Sequence, residues 1–95
     1  MYDEKEISNE FYNYYYDLVG VLKNHKNSAS TKLTETIKIL NFFANYKANI
    51  EEAKIIKNVL IIANSLIEAS KVNKKNYAVL ERKECEELVK KIKNC

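Results

Sequence analysis

Proline is absent from the 95 residues of the chain, glycine occurs once and cysteine occurs twice. Because proline and glycine are the residues that interrupt helices, nearly the whole chain can be helical. Two cysteines are too few for the disulfide framework of a small secreted domain. On one helix, Cys85 and Cys95 would be separated by about 15 Å, so we expect no intrachain disulfide, whereas Cys95 could link two chains.

Long apolar runs are also absent. The longest is Val59–Ala63, with five residues, whereas a membrane-spanning helix needs about 20. The first six residues are mostly charged and lack the apolar stretch of a secretory signal. We therefore expect a cytoplasmic protein without a membrane span.

The residues that are present predict one folded, all-α domain over residues 1–95. Hydrophobic residues make up 46% of the chain and aromatic residues 11%, a composition that argues against disorder. A chain of this length holds one hydrophobic core. Nothing in the composition indicates a linker, an internal repeat or a second domain.

The segment Ile50–Val72 has the clearest helical pattern. At 100° per residue its apolar side chains fall in an arc of about 160°, opposite a polar face. Asn49, followed by two glutamates, predicts the N-cap of this helix. A dry face this wide needs at least two neighbouring helices, which predicts a bundle with this helix at its centre. The apolar residues are Ile55, Ile56, Val59, Leu60, Ile62, Ala63, Leu66 and Ile67.

Three further helices complete the predicted bundle. The first runs from about Glu4 to Asn24, with a capping box between Asp3 and Glu6, and the second runs from about Ala29 to Tyr46. The fourth is shorter, from about Glu81 to Lys93, and Tyr77–Leu80 could begin it or form an extended connector. Because the connections are short, we predict a small antiparallel helical bundle with three long helices and a shorter C-terminal fourth.

No pattern in the sequence indicates a catalytic or metal site. His25 is the only histidine, and neither Cys-x-x-Cys nor His-x-x-x-His occurs, so a zinc site has no recognisable ligand set. A nucleophilic pair of Cys85 and His25 would lack an orienting residue and an oxyanion hole. The glutamates of the last helix lack the Glu-x-x-His partners of a bundle di-metal site. We expect a non-enzymatic protein without metal or cofactor.

Several large apolar side chains exceed what a four-helix core obviously uses. They lie on one flank of the first helix, on a second stripe of the second helix and on the polar face of the third. Tyrosine supplies much contact area at little cost in rotamer entropy, so these residues predict a surface that binds another protein or a second copy of this chain. They could instead close the core or be scattered singly. The residues are Tyr12, Tyr16, Phe42, Tyr46 and Ile61.

The predicted function is that of a small regulatory module, which occludes or sequesters a protein partner. Lysine far exceeds arginine, and asparagine and isoleucine are frequent, as in proteins of AT-rich genomes. Small helical bundles from such bacteria, phages or plasmids often serve as inhibitors, immunity proteins or antitoxins. This comparison rests on fold and size, because no motif residue carries it.

Nucleic-acid binding is the alternative function. From Lys71 to Cys95 the chain holds eight basic residues against four glutamates, and basic helix ends neutralise phosphates while exposed tyrosines stack on bases. The single arginine and the interleaved glutamates argue against readout of base edges. The candidate residues for this alternative are Lys71, Lys74, Lys75, Arg82 and Lys83.

Overall fold

A computed structural model of the protein describes residues 7–71 and 77–94. These ranges contain four α-helices and no strand, which confirms the predicted all-α bundle. The helices are α1 (Asn9–Lys23), α2 (Ala29–Asn45), α3 (Ile50–Ala69) and α4 (Val79–Lys93). None of these four helices is both long enough and apolar enough to cross a membrane.

Polar side chains cap the first three helices at their N-termini. Ser8 has an extended backbone and its hydroxyl accepts a hydrogen bond from the Phe11 amide at 3.1 Å. The predicted start of α1 near Glu4 is therefore wrong, and the predicted capping box at Asp3 lies outside the described residues. Ser28 caps α2 in the same way. The predicted Asn49 cap of α3 is confirmed, because its side chain accepts from the Glu52 amide at 2.8 Å.

The helix α4 begins two residues earlier than the predicted start at Glu81. Tyr77 and Ala78 form a turn in which Ala78 adopts the left-handed conformation, with φ of 56°. The left-handed residue changes the direction of the chain, and the helix begins at the next residue. Val79 and Leu80 therefore already belong to the helix. The segment Tyr77–Leu80 is thus half turn and half helix, and not an extended connector.

The helices run alternately up and down. The starts of α2 and α4 meet where Ser30 donates a hydrogen bond to Glu81 at 3.2 Å, and their ends meet where Phe43 and Ile92 line one groove. These two helices are therefore parallel to each other, with α3 antiparallel to both. Among the described helices, α2 and α3 each contact the other three, whereas α1 and α4 do not touch.

The core is centred on α2 as much as on α3. The middle of the predicted α3 stripe is buried, while its two edges, including Ile55 and Leu60, are half-buried. The helix α2 makes its most extensive contact with α4. Its buried apolar residues are Leu33, Ile39, Leu40, Phe43 and Ala44.

Replacing Gly20 by alanine should stabilise the protein. Gly20 is an exposed interior residue of α1, and a Cβ built on it would meet no atom within 4 Å. Alanine is about 1 kcal/mol better than glycine at such a position, which corresponds to a rise of about 4–8 °C in Tm. Thermal unfolding followed by circular dichroism measures the change.

The reverse substitution Ala53→Gly serves as the control, because Ala53 is an exposed residue of α3. It should lower the free energy of unfolding by about 1 kcal/mol. An unchanged or lowered Tm for Gly20→Ala would contradict the open environment of Gly20.

Candidate protein-binding surface

Two tyrosines form an ordered and exposed pair on α1. The rings of Tyr12 and Tyr16 lie one helical turn apart, with centroids 4.6 Å apart and hydroxyl oxygens 3.0 Å apart. Their exposed fractions are 42% and 56%. The hydrogen bond to Tyr16, together with charge repulsion from its phenolate, raises the pKa of Tyr12. The pair presents two aromatic faces and two hydroxyl groups to the solvent.

This pair lies on the side of α1 that points away from α2. On the opposite side of the helix, Tyr14 stacks on Phe42 of α2, with ring centroids 4.1 Å apart and an interplanar angle of 9°. Viewed along the helix axis, the buried Phe11 lies between Tyr14 on one side and Tyr12 and Tyr16 on the other. They therefore lie on the flank of α1 next to α3.

Two observations give the register of α1 against α3. The Ser8 amide, just before α1, donates to the Glu52 carboxylate at 2.9 Å, across 44 residues of sequence. At the other end of α1, Leu22 and Leu66 have the same separation in sequence and line one cavity of about 360 Å³. The two helices are therefore parallel and keep one register along their shared length.

That register brings Ile61 to the level of the tyrosine pair. Tyr16 lies level with Leu60, the residue before Ile61. Ile61 is 62% exposed and lies one turn before Ser65, which lines the cavity beside α1. The exposed side chains of Tyr12 and Tyr16 on α1 and of Ile61 on α3 thus lie at one level of the bundle, and we call them the α1–α3 surface.

The other two predicted binding residues lie at the edge of the core. Phe42 is half-buried between Tyr14 and Tyr46, whose ring centroid is 4.9 Å away. Tyr46 is half-buried, and its ring packs against Phe11 at 5.5 Å. The structure therefore separates them from the α1–α3 surface and places them in an aromatic cluster between α1 and α2.

Glu52 is a buried carboxylate that the sequence patterns did not single out. Its exposed fraction is 1%. The carboxylate accepts hydrogen bonds from the backbone amides of Ser8 at 2.9 Å and Asn49 at 3.0 Å, and from the Tyr46 hydroxyl at 2.8 Å. Around α3, Glu52 lies in the middle of the apolar stripe, two turns before Val59. That alignment, together with the Asn49 cap, is the sequence feature that could have revealed it.

These hydrogen bonds determine the ionisation of the cluster. Burial raises the pKa of Glu52, but the hydrogen bonds from Ser8, Asn49 and Tyr46 outweigh it and hold the pKa below its ordinary value. A hydrogen bond with Ser8 lowers the pKa of Tyr46, while burial and the neighbouring Glu52 carboxylate raise it, with a net increase. The carboxylate is therefore ionised and the phenol protonated at neutral pH.

Replacing Glu52 by glutamine should destabilise the protein by about 2–3 kcal/mol, because bonds to an ionised acceptor are lost and a buried donor is left unpaired. The folded-state pKa of Glu52 is lowered, so its contribution is complete above the unfolded pKa and is lost as pH falls through the folded value. The difference between wild type and Glu52→Gln should therefore shrink from pH 7 to about pH 3. Urea unfolding at several pH values measures it.

The control is Glu51→Gln, because within the described part of the chain Glu51 forms one ion pair, with Lys54 at the surface, at 3.3 Å. It should change the free energy of unfolding by about 0.5 kcal/mol or less. Tyr46→Phe keeps the ring and removes the hydroxyl, and should cost about 1–2 kcal/mol. Equal effects of Glu51→Gln and Glu52→Gln would contradict the role of the buried carboxylate.

Arg82, a candidate for nucleic-acid contact, is buried in the structure. Its guanidinium donates to the Ser70 carbonyl and hydroxyl oxygens at 3.3 and 3.0 Å, and to the Tyr77 carbonyl oxygen at 3.1 Å. The side chain joins the end of α3 to the start of α4. It is therefore not presented to a phosphate or a base edge.

The structure describes two of the remaining four basic candidates, Lys71 and Lys83. Lys71 is exposed and lies 3.1 Å from the carboxylate of Glu68 and 3.9 Å from that of Glu86. Lys83 is exposed on α4. Lys74 and Lys75 lie outside the described residues. A continuous basic stripe is thus not formed by the candidates that the structure describes.

Cys85 and His25 are not brought together. Cys85 is fully buried, and its thiol contacts the Leu33 carbonyl oxygen at 3.7 Å. Burial, with a smaller effect of nearby glutamates, raises the pKa of this thiol to about 12, so it is a poor nucleophile at neutral pH. His25 is exposed in the turn after α1 and lines a cavity to which Cys85 does not contribute. Cys95 lies outside the described residues.

No cluster of three His, Cys, Asp or Glu side chains that could hold a metal ion occurs in residues 7–71 and 77–94. Comparison of the chain with models of protein families, with curated proteins and with solved structures gives no match. The geometry of the chain itself is therefore the basis for a functional assignment.

Proposed function

We propose that this protein is a non-enzymatic protein-binding module of the small regulatory kind, which occludes or sequesters its partner through the α1–α3 surface. The exposed Tyr12–Tyr16 pair is the observation that carries the proposal. Because each hydroxyl holds the other at 3.0 Å, the two rings are already ordered, and binding costs less side-chain entropy. Ile61 adds an aliphatic contact beside them.

The partner in this proposal is another protein, as for an inhibitor, an immunity protein or an antitoxin, or a second copy of this chain in a homodimer. Tyrosine is enriched at the centre of protein interfaces and among the residues that contribute most to binding. The cytoplasm is the compartment that suits the unpaired, buried Cys85, because thiols are kept reduced there.

Photo-crosslinking in the native host tests the proposal. A benzophenone amino acid replaces Asn58, an exposed residue of α3 about one turn before Ile61, so that the three residues of the α1–α3 surface are kept. We expect a covalent adduct with one protein of defined mass. The double substitution Tyr12→Ser and Tyr16→Ser should remove the adduct, because it removes the aromatic contact area.

A second crosslinker position, Thr34, is the control, because it is exposed on α2 and should yield no such adduct. The double tyrosine variant should stay folded, with a free energy of unfolding within about 1 kcal/mol of wild type, because both side chains are exposed. An adduct with the mass of a dimer would identify a second copy as the partner. An adduct that survives the tyrosine substitutions, or none at all, would contradict the proposal.

A further inference from the structure

A second surface lies on the side of the bundle that includes α4, which does not contact α1. The end of α2, the start of α3 and the end of α4 bound a groove of about 860 Å³ that is open to solvent along one side. Its apolar lining includes Phe43, Ile56, Leu60 and Ile92. Ile56 and Leu60 are only half-buried, so the bundle leaves part of this apolar area uncovered. The volume lies in the range of ligand-binding clefts.

The charged side chains that line this groove, among the residues that the structure describes, are all positive. Lys47 comes from the connection between α2 and α3, Lys57 from α3 and Lys93 from the last turn of α4, and no acidic residue is among the described lining residues. None of the three forms an ion pair within the part of the chain that the structure describes. Lys93 also suits the negative end of the α4 dipole. Lys57 lies in the interior of α3, where no helix end explains it.

We propose that this groove binds an acidic segment of another protein. One or two large apolar side chains of the segment lie on the floor, and aspartates or glutamates on either side of them face the lysines. The lysines come from three different elements, so they match several carboxylates distributed along a chain rather than one small anion. The open side of the groove admits a continuous backbone, as in other grooves that bind peptide segments. Charge complementarity then steers the encounter and fixes the orientation.

Selection from a displayed library of random dodecapeptides tests this. The full chain, immobilised at low salt, should enrich peptides with Phe, Leu or Trp flanked by Asp or Glu. Their addition should shift the backbone amide resonances of Ala48 and Ile56 in the labelled chain. Binding should weaken about tenfold in the triple variant Lys47→Glu, Lys57→Glu and Lys93→Glu, and should also weaken as salt rises.

The matched control is Lys26→Glu, Lys38→Glu and Lys83→Glu, which changes the net charge equally but alters no residue of the groove; it should bind the peptides as wild type does. Both variants replace exposed residues, and circular dichroism checks that they fold. Enrichment without preference for acids, or equal weakening by both variants, would overturn the proposal. Two further titrations use dodecanoate, a fatty-acid probe, and rising concentrations of the chain itself. Resonance shifts in the groove that occur only in one of these titrations would also overturn the proposal, because the occupant would then be a lipid or a second copy. The groove and the α1–α3 surface are separate, so binding at one can fail while binding at the other stands.

Discussion

The buried carboxylate of Glu52 is the interaction on which the arrangement of the first three helices depends. From the first turn of α3 it joins the residue before α1, the residue after α2 and the N-cap residue of α3 through hydrogen bonds of 2.8–3.0 Å. An ionised group removed from water is tolerated only when its acceptor positions are filled. A shift of α1 by one residue would move Ser8 away from the carboxylate, so the buried charge fixes the register of the bundle as well as its stability.

That fixed register has a consequence for the surface. Because α1 lies parallel to α3 in a single alignment, Tyr16 and Ile61 are held at one level along the bundle although they are far apart in sequence. The absence of contact between α1 and α4 leaves each of these helices with an outer flank and gives the molecule two separate faces. One face carries exposed aromatic rings, and the other carries an apolar groove with three lysines.

The parts of this structure that depend on residues close together in the sequence could be predicted. The periodic apolar residues predicted all four helices, and Asn49 with its two glutamates predicted the start of α3. Patterns could not show that Arg82 is buried, because charged residues are almost always exposed and their burial depends on partners distant in the chain. For Glu52 the sequence signal is its place in the middle of the apolar stripe of α3, but its hydrogen-bond partners Ser8 and Tyr46 come from other parts of the chain. Tyr12 and Tyr46 illustrate the same limit. Tyr12 lies on the surface and Tyr46 donates a hydrogen bond to the buried Glu52 carboxylate, and tertiary packing alone distinguishes the two tyrosines.

The position of Cys85 allows the reactivity of its thiol to report partial opening of the bundle. Its thiol is enclosed between α4 and the Leu33 carbonyl of α2, and its pKa of about 12 leaves almost no thiolate at neutral pH. A thiol reagent can therefore reach and modify Cys85 only after α4 separates from α2. The rate at which Cys85 is modified therefore measures the detachment of α4, and the measurement uses a cysteine that the chain already contains.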